Sequence, residues 1–81
     1  MTTAAPAEAV TKLIRMANQI AGAFAIESPE KAVAATAEHI RLYWTPKMRR
    51  DIEPCLDEGE SRLGPIARDA LAALRAKAGG S

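Results

Sequence analysis

Two dipeptides, Ser28-Pro29 and Thr45-Pro46, constrain this chain more than any other feature. Each places a hydroxyl side chain that can cap a helix directly before a proline, whose missing N–H is no loss in a first turn. The residue before a proline resists helical geometry, so each pair also ends any helix that runs into it. Around these marks the apolar residues recur with a period near 3.6, and no stretch shows the β-branched alternation of a strand. The expected fold is all-α: a small single-domain bundle of three to four short amphipathic helices, at about 6–25, 29–44, 46–58 (kinked at Pro54) and 64–77. Residues 1–5 are expected to form a flexible leader, 6–77 the helical domain and 78–81 a flexible tail.

The faces follow from phasing at about 100° per residue. In the first helix Val10, Leu13, Ala17, Ile20, Ala21 and Phe24 share one side, with Ile14 on its flank; Arg15, Asn18 and Gln19 are polar and opposite. In the second, Val33, Thr36, Ala37, Ile40, Tyr43 and Trp44 are expected to face the core, and Leu42 is apolar on a mainly polar side. His39 and Arg41 flank the apolar stripe. The bland reading of His39, a hydrogen bond across to another helix, is preferred to a partner contact. Trp44 is too large to be fully buried in most small domains, so core and interface roles stand equal for it. The short connection makes the first two helices antiparallel neighbours, and their alanines allow close approach.

Charge narrows the function. The formal net charge is only +1, which does not suit a polyanion binder. It is nevertheless segregated: four bases and no acid lie from Arg41 to Arg50, and five acids and no base from Asp51 to Glu60. Adjacent blocks of opposite sign suit a protein-docking surface. Lys47, Arg49 and Arg50 are the densest basic cluster. They carry the alternative reading, a small helical nucleic-acid-binding domain, which is weaker because no aromatic–basic interleaving recurs. Near a helix start their cations would sit badly with the helix dipole, which favours use in pairing.

Catalytic and metal chemistry are not readable. One His and one Cys, sixteen apart, are far from a ligand set, and no glycine-rich turn follows a strand. A helical chain of 81 residues has little room for a closed pocket, so no enzymatic activity of its own is expected. Cys55 reads as a small, partly buried side chain whose acidic neighbours raise its pKa. A single cysteine and the absence of a signal-like or membrane-length apolar run give a cytoplasmic expectation, with no membrane partner.

Two runs carry a resemblance: Leu13-Ile14-Arg15-Met16-Ala17-Asn18-Gln19-Ile20-Ala21, and His39-Ile40-Arg41-Leu42-Tyr43-Trp44-Thr45-Pro46-Lys47-Met48-Arg49. With the Pro29-to-Val33 helix opening and the Gly59–Leu63–Pro65 segment, they resemble the small delta subunit of bacterial NAD-dependent, molybdenum-containing formate dehydrogenases. Phe24-Ala25, Pro54 and Cys55 depart from that pattern. The resemblance covers about residues 10–75. It implies a non-catalytic accessory subunit that binds the large catalytic subunit and supports assembly or stability of the complex. It implies no cofactor bound by this chain, within a holoenzyme that carries molybdopterin, iron–sulfur clusters and FMN and uses NAD. Within that family reading, the side-chain amides of the first run suggest fixed hydrogen bonds to a partner backbone. The expected partner-binding residues are Arg15, Asn18, Gln19, His39, Arg41, Leu42, Trp44, Lys47 and Arg49. An exposed apolar patch would also permit self-association of the isolated chain.

Overall fold

A computed structural model describes residues 7–58 and 62–79. The expected leader and the last two residues lie outside them, as does most of the expected loop at 59–62. Four α-helices and one 3₁₀ segment follow in order: α1 Ala7–Phe24, α2 Pro29–Tyr43, α3 Pro46–Ile52, the 3₁₀ segment Glu53–Asp57, and α4 Pro65–Gly79. No strand occurs among the described residues.

The two hydroxyl–proline marks act as caps. Ser28 Oγ accepts from Lys31 N at 3.4 Å, and Thr45 Oγ1 from Met48 N at 3.2 Å. Each such cap contributes about 1 kcal/mol. Both cap residues have extended backbone with ψ near 155°, at 153° and 159°, as a residue before proline requires. Pro54 does not kink one continuous helix. α3 ends at Ile52, and the Glu53 N–H turns to the Arg50 carbonyl in an i→i−3 bond. Pro54 has no N–H to continue the α ladder, so the chain tightens into the 3₁₀ segment. α4 runs to Gly79, two residues beyond its expected end.

α2 packs on both α1 and α4, and α3 with the 3₁₀ segment closes one end. The seam between the three long helices is made of small residues: Ala17, Ala32, Ala67 and Ala70 are fully buried. Ile40, Ile52, Leu13, Leu71 and Leu74 fill the space around them. Ile14, expected on the flank of its stripe, is buried.

Tyr43 and Trp44 divide differently from the phasing. Tyr43, expected in the core, is 70% exposed, whereas Trp44 is only 6% exposed. Tyr43 is the last residue of α2, and Trp44, where the chain leaves helical geometry at φ −90° and ψ 140°, is buried in the core cluster. Trp44 therefore belongs to the core.

Thr36 sits in the middle of α2, fully buried, and its Oγ1 finds no hydrogen-bond partner among the described residues. An unsatisfied buried hydroxyl costs about 1–3 kcal/mol. Replacing Thr36 with valine keeps the branched shape and removes that cost. Thr36→Val should raise stability by about 1 kcal/mol, a shift of roughly 4–8 °C for a domain this size, read by thermal unfolding of the isolated chain.

Candidate docking surface

The adjacent residues Asn18 and Gln19 point to opposite flanks of α1, because one residue turns a helix by about 100°. Asn18 lies toward the segment that precedes α4. Its Oδ1 accepts from Gly64 N at 2.8 Å and its Nδ2 donates to the Arg62 carbonyl at 3.0 Å. The amide thus makes the fixed backbone bonds its chemistry suggests, with the chain's own backbone 44 and 46 residues away. Arg62 adds a bond from Nη2 to Thr11 Oγ1 at 3.0 Å on the same flank. A Cβ at Gly64 would stand 3.4 Å from Asn18 Oδ1, the close end of van der Waals contact. Asn18 is a clamp between α1 and the entry to α4.

Gln19 faces the other way, into a shallow groove of about 270 Å³ between α1, α2 and α3. Met16 and Ile20 line it from α1, His39 and Tyr43 from α2, Trp44 from the corner and Met48 from α3. The groove therefore brings together three of the expected partner-binding residues: Gln19, His39 and Trp44. Trp44 forms its floor, as a buried side chain. His39 makes ring contacts in place of a hydrogen bond across to another helix. Its centroid lies 4.7 Å from Tyr43 and 6.4 Å from Phe24, the second edge-to-face. Tyr43 stands on His39 at the (i, i+4) spacing that places side chains on one helix face. Leu42, 58% exposed, is three residues from His39 on the outer edge of that face. Two methionines, two aromatic rings, an imidazole and an exposed leucine make a soft apolar surface with one amide, suited to another protein's side chains.

The other expected residues lie elsewhere. Arg15 is exposed on the outer side of α1, one turn before Gln19. Arg41 is exposed and bonded to Glu38, with Nε donating to Oε1 at 3.1 Å and Nη2 to the same oxygen. That bond, more than the Arg41 charge alone, holds the Glu38 carboxyl below its ordinary pKa, and Glu38 in turn raises Arg41. Lys47 is exposed and donates to Asp51 Oδ2 at 2.6 Å, an (i, i+4) pair. Arg49 and Arg50 line a different groove, against α4. Because α3 is only seven residues long, both arginines fall in its last turn. There the helix dipole favours a cation, so the expected conflict with a helix start is lifted for these two, while Lys47, in the first turn, is paired with Asp51.

Tyr43 is exposed against its phase, whereas Met16 and Met48 are half-buried and pack against the core while lining the groove. Among the described residues no three His, Cys, Asp or Glu side chains gather as a metal site, and no helix is long and apolar enough to cross a membrane. Cys55 is buried, and its thiol pKa is raised, first by burial and then by Glu58, with Arg62 opposing.

Among known proteins, a family model described as the NADH-dependent formate dehydrogenase delta subunit FdsD matches residues 12–71. No curated protein and no solved structure matches the chain.

Two outcomes check this geometry. Asn18→Ala should lower the stability of the isolated chain by about 1–3 kcal/mol, because a half-buried Gly64 N–H loses its acceptor. Gln19→Ala, on an exposed side chain, should change it by less than about 0.5 kcal/mol; chemical denaturation of both variants reads the difference. A raised thiol pKa keeps Cys55 protonated at neutral pH, and its contribution to stability fades only as pH climbs through the folded value. Cys55 in the native chain should therefore react with a disulfide reagent much more slowly than in urea, with the native rate rising only above the usual thiol range.

Proposed function

The chain belongs to the NADH-dependent formate dehydrogenase delta subunit family, and on that footing we propose that it binds the large catalytic subunit of the enzyme and supports assembly or stability of the active complex. The observation that carries this reading is the family match over residues 12–71, a span that contains every residue of the α1–α2–α3 groove. The complex uses NAD, as the family description states. In this proposal the oxidation of formate, and the molybdopterin, iron–sulfur and flavin groups it requires, belong to the other subunits. This chain contributes a surface.

The surface has the features a docking site needs. Leu42 and Tyr43 are large apolar side chains in solvent, and water is removed from them only when a partner covers them. Tyr43 is also the residue type that most often anchors an interface, an apolar ring with a polar tip. Gln19 and Arg15, on the rim, can supply orientation through hydrogen bonds. Trp44 and Asn18 take an indirect part: one floors the groove, the other fixes α4 against α1. Cytoplasmic residence fits this role as the site of the partner enzyme.

The decisive test is removal of the chain from cells that make the complex, followed by activity, metal and molybdopterin measurements on the remaining subunits. Lost activity with full cofactor content would assign a stabilising role, and lost cofactor an assembly role; unchanged activity, yield and thermal stability would overturn the proposal. The face is tested separately. Leu42→Asp with Tyr43→Asp should leave the helical circular dichroism intact, since both side chains lie outside the core. It should also weaken co-purification with the catalytic subunit by about ten-fold or more.

A further inference from the structure

A second groove, of about 400 Å³, lies apart from the one described above. It runs between α3 with the 3₁₀ segment on one side and α4 on the other. We propose that it is a second docking site, which takes an acidic segment of a partner protein carrying an apolar anchor.

The floor and the walls differ in kind. Ile52, Leu71 and Leu74 form an apolar floor, and Leu56, half-buried, forms one lip. Around it stand three guanidinium groups, Arg49, Arg50 and Arg75, against the single lining carboxylate of Glu53. Arg75 is already engaged, with Nη1 at 3.0 and 3.1 Å from the two carboxylate oxygens of Asp57. Arg49 and Arg50 make no ion pair among the described residues. Two unpaired guanidiniums beside an apolar trough are matched by carboxylates set next to a leucine or phenylalanine. Guanidinium binds carboxylate through two parallel N–H donors, which gives both attraction and orientation.

Other occupants match less well. A small molecule is held by polar groups that converge inside a pocket, but here the charged ends stand at the rim and the floor is apolar. A nucleic-acid backbone would leave the floor uncovered and meet Glu53 and Asp57 at the edge. A second copy of this chain carries acids of its own, of which Asp51 and Asp57 are already paired internally with Lys47 and Arg75, and the test below separates that occupant. An acidic partner segment satisfies floor and rim together. The site does not depend on the α1–α2–α3 face: α3 stands between the two grooves, with Met48 on one side and Arg49 and Arg50 on the other.

The test is fluorescence anisotropy of the full chain with a labelled amphipathic peptide, leucines on one face and glutamates on the other, beside a control with lysine in place of glutamate. The acidic peptide should bind, and more weakly as salt rises; the lysine peptide should bind at least ten-fold more weakly. Arg49→Glu with Arg50→Glu should weaken the acidic peptide at least ten-fold while leaving circular dichroism unchanged. Glu53→Lys, which removes the lining carboxylate, should strengthen it several-fold, a gain that misfolding cannot imitate. Equal binding of the two peptides, or no response to either charge reversal, overturns the proposal. Concentration-dependent dimerisation abolished by Arg49→Glu with Arg50→Glu would assign the groove to a second copy instead. Normal peptide binding in the Leu42→Asp, Tyr43→Asp chain would separate this site from the face proposed above.

Discussion

The close approach of three helices across an alanine seam is the constraint on which the rest of this structure depends. Ala17 of α1, Ala32 of α2, and Ala67 and Ala70 of α4 are all fully buried. A methyl at the contact brings two helix axes toward the near end of their usual spacing of about 8–10 Å. Such a seam is narrow, and it leaves few large side chains with a place in the centre. Ile40, Ile52 and Thr36 are the largest that are fully enclosed. Several larger apolar groups, Met16, Ile20, Met48 and Leu56, are only partly buried against that core, and they line the two surface grooves. The grooves follow from a core made of small residues in a chain that still carries leucine, methionine and aromatic side chains.

A narrow seam needs ends that close. One end is closed by Trp44, which leaves the helix at its capping position and covers the gap beneath Ile40 and Met48. The approach to α4 is fixed by the Asn18 amide, which bonds the backbone on both sides of Leu63 and so seats that buried side chain. On the opposite edge Arg68 donates to the Glu58 carbonyl and Arg75 to the Asp57 carboxylate, tying α4 to the 3₁₀ segment. These last bonds are exposed and each worth little. They nonetheless account for part of the charge segregation: in the acidic run, Asp51 pairs with Lys47 before it and Asp57 with Arg75 of α4 after it.

Much of the fold was legible because its determinants are local. The hydroxyl–proline caps mark the starts of α2 and α3 to the residue, and phasing at about 100° finds Ala17 and Ile40 as core. Departures arise where a distant segment decides. Ala32 looks like filler until α1 and α4 close on it. Asn18 is polar and helical, and nothing nearby in the sequence shows that its partners lie at Arg62 and Gly64. Tyr43 and Trp44, both expected inward, part at the end of α2, where the chain leaves helical geometry and periodicity carries no information past the last helical residue. Of the candidate surface, Gln19, His39 and Leu42 were readable as polar or outward groups. The groove that unites the first two was not, since it depends on how α1, α2 and α3 come together and on Tyr43 being exposed against its phase.

The same architecture links folding to binding. A domain of this size buries only about 60% of the surface that its unfolded chain exposes, so its own stability margin is thin. A partner that binds only the folded form adds stability in proportion to the logarithm of its concentration over Kd, about 2.7 kcal/mol when that ratio is 100. Against a margin of a few kcal/mol, that gain alone changes the unfolded fraction about a hundred-fold. The gain is largest if the contact holds elements that the seam itself holds loosely. α3 is the natural case: a seven-residue helix, too short to persist by itself, it contributes Met48 to one groove and two arginines to the other. An occupant of either groove bears on α3, and through the fully buried Ile52 on the core behind it. The helix least able to stand alone is therefore the one placed where a partner can hold it.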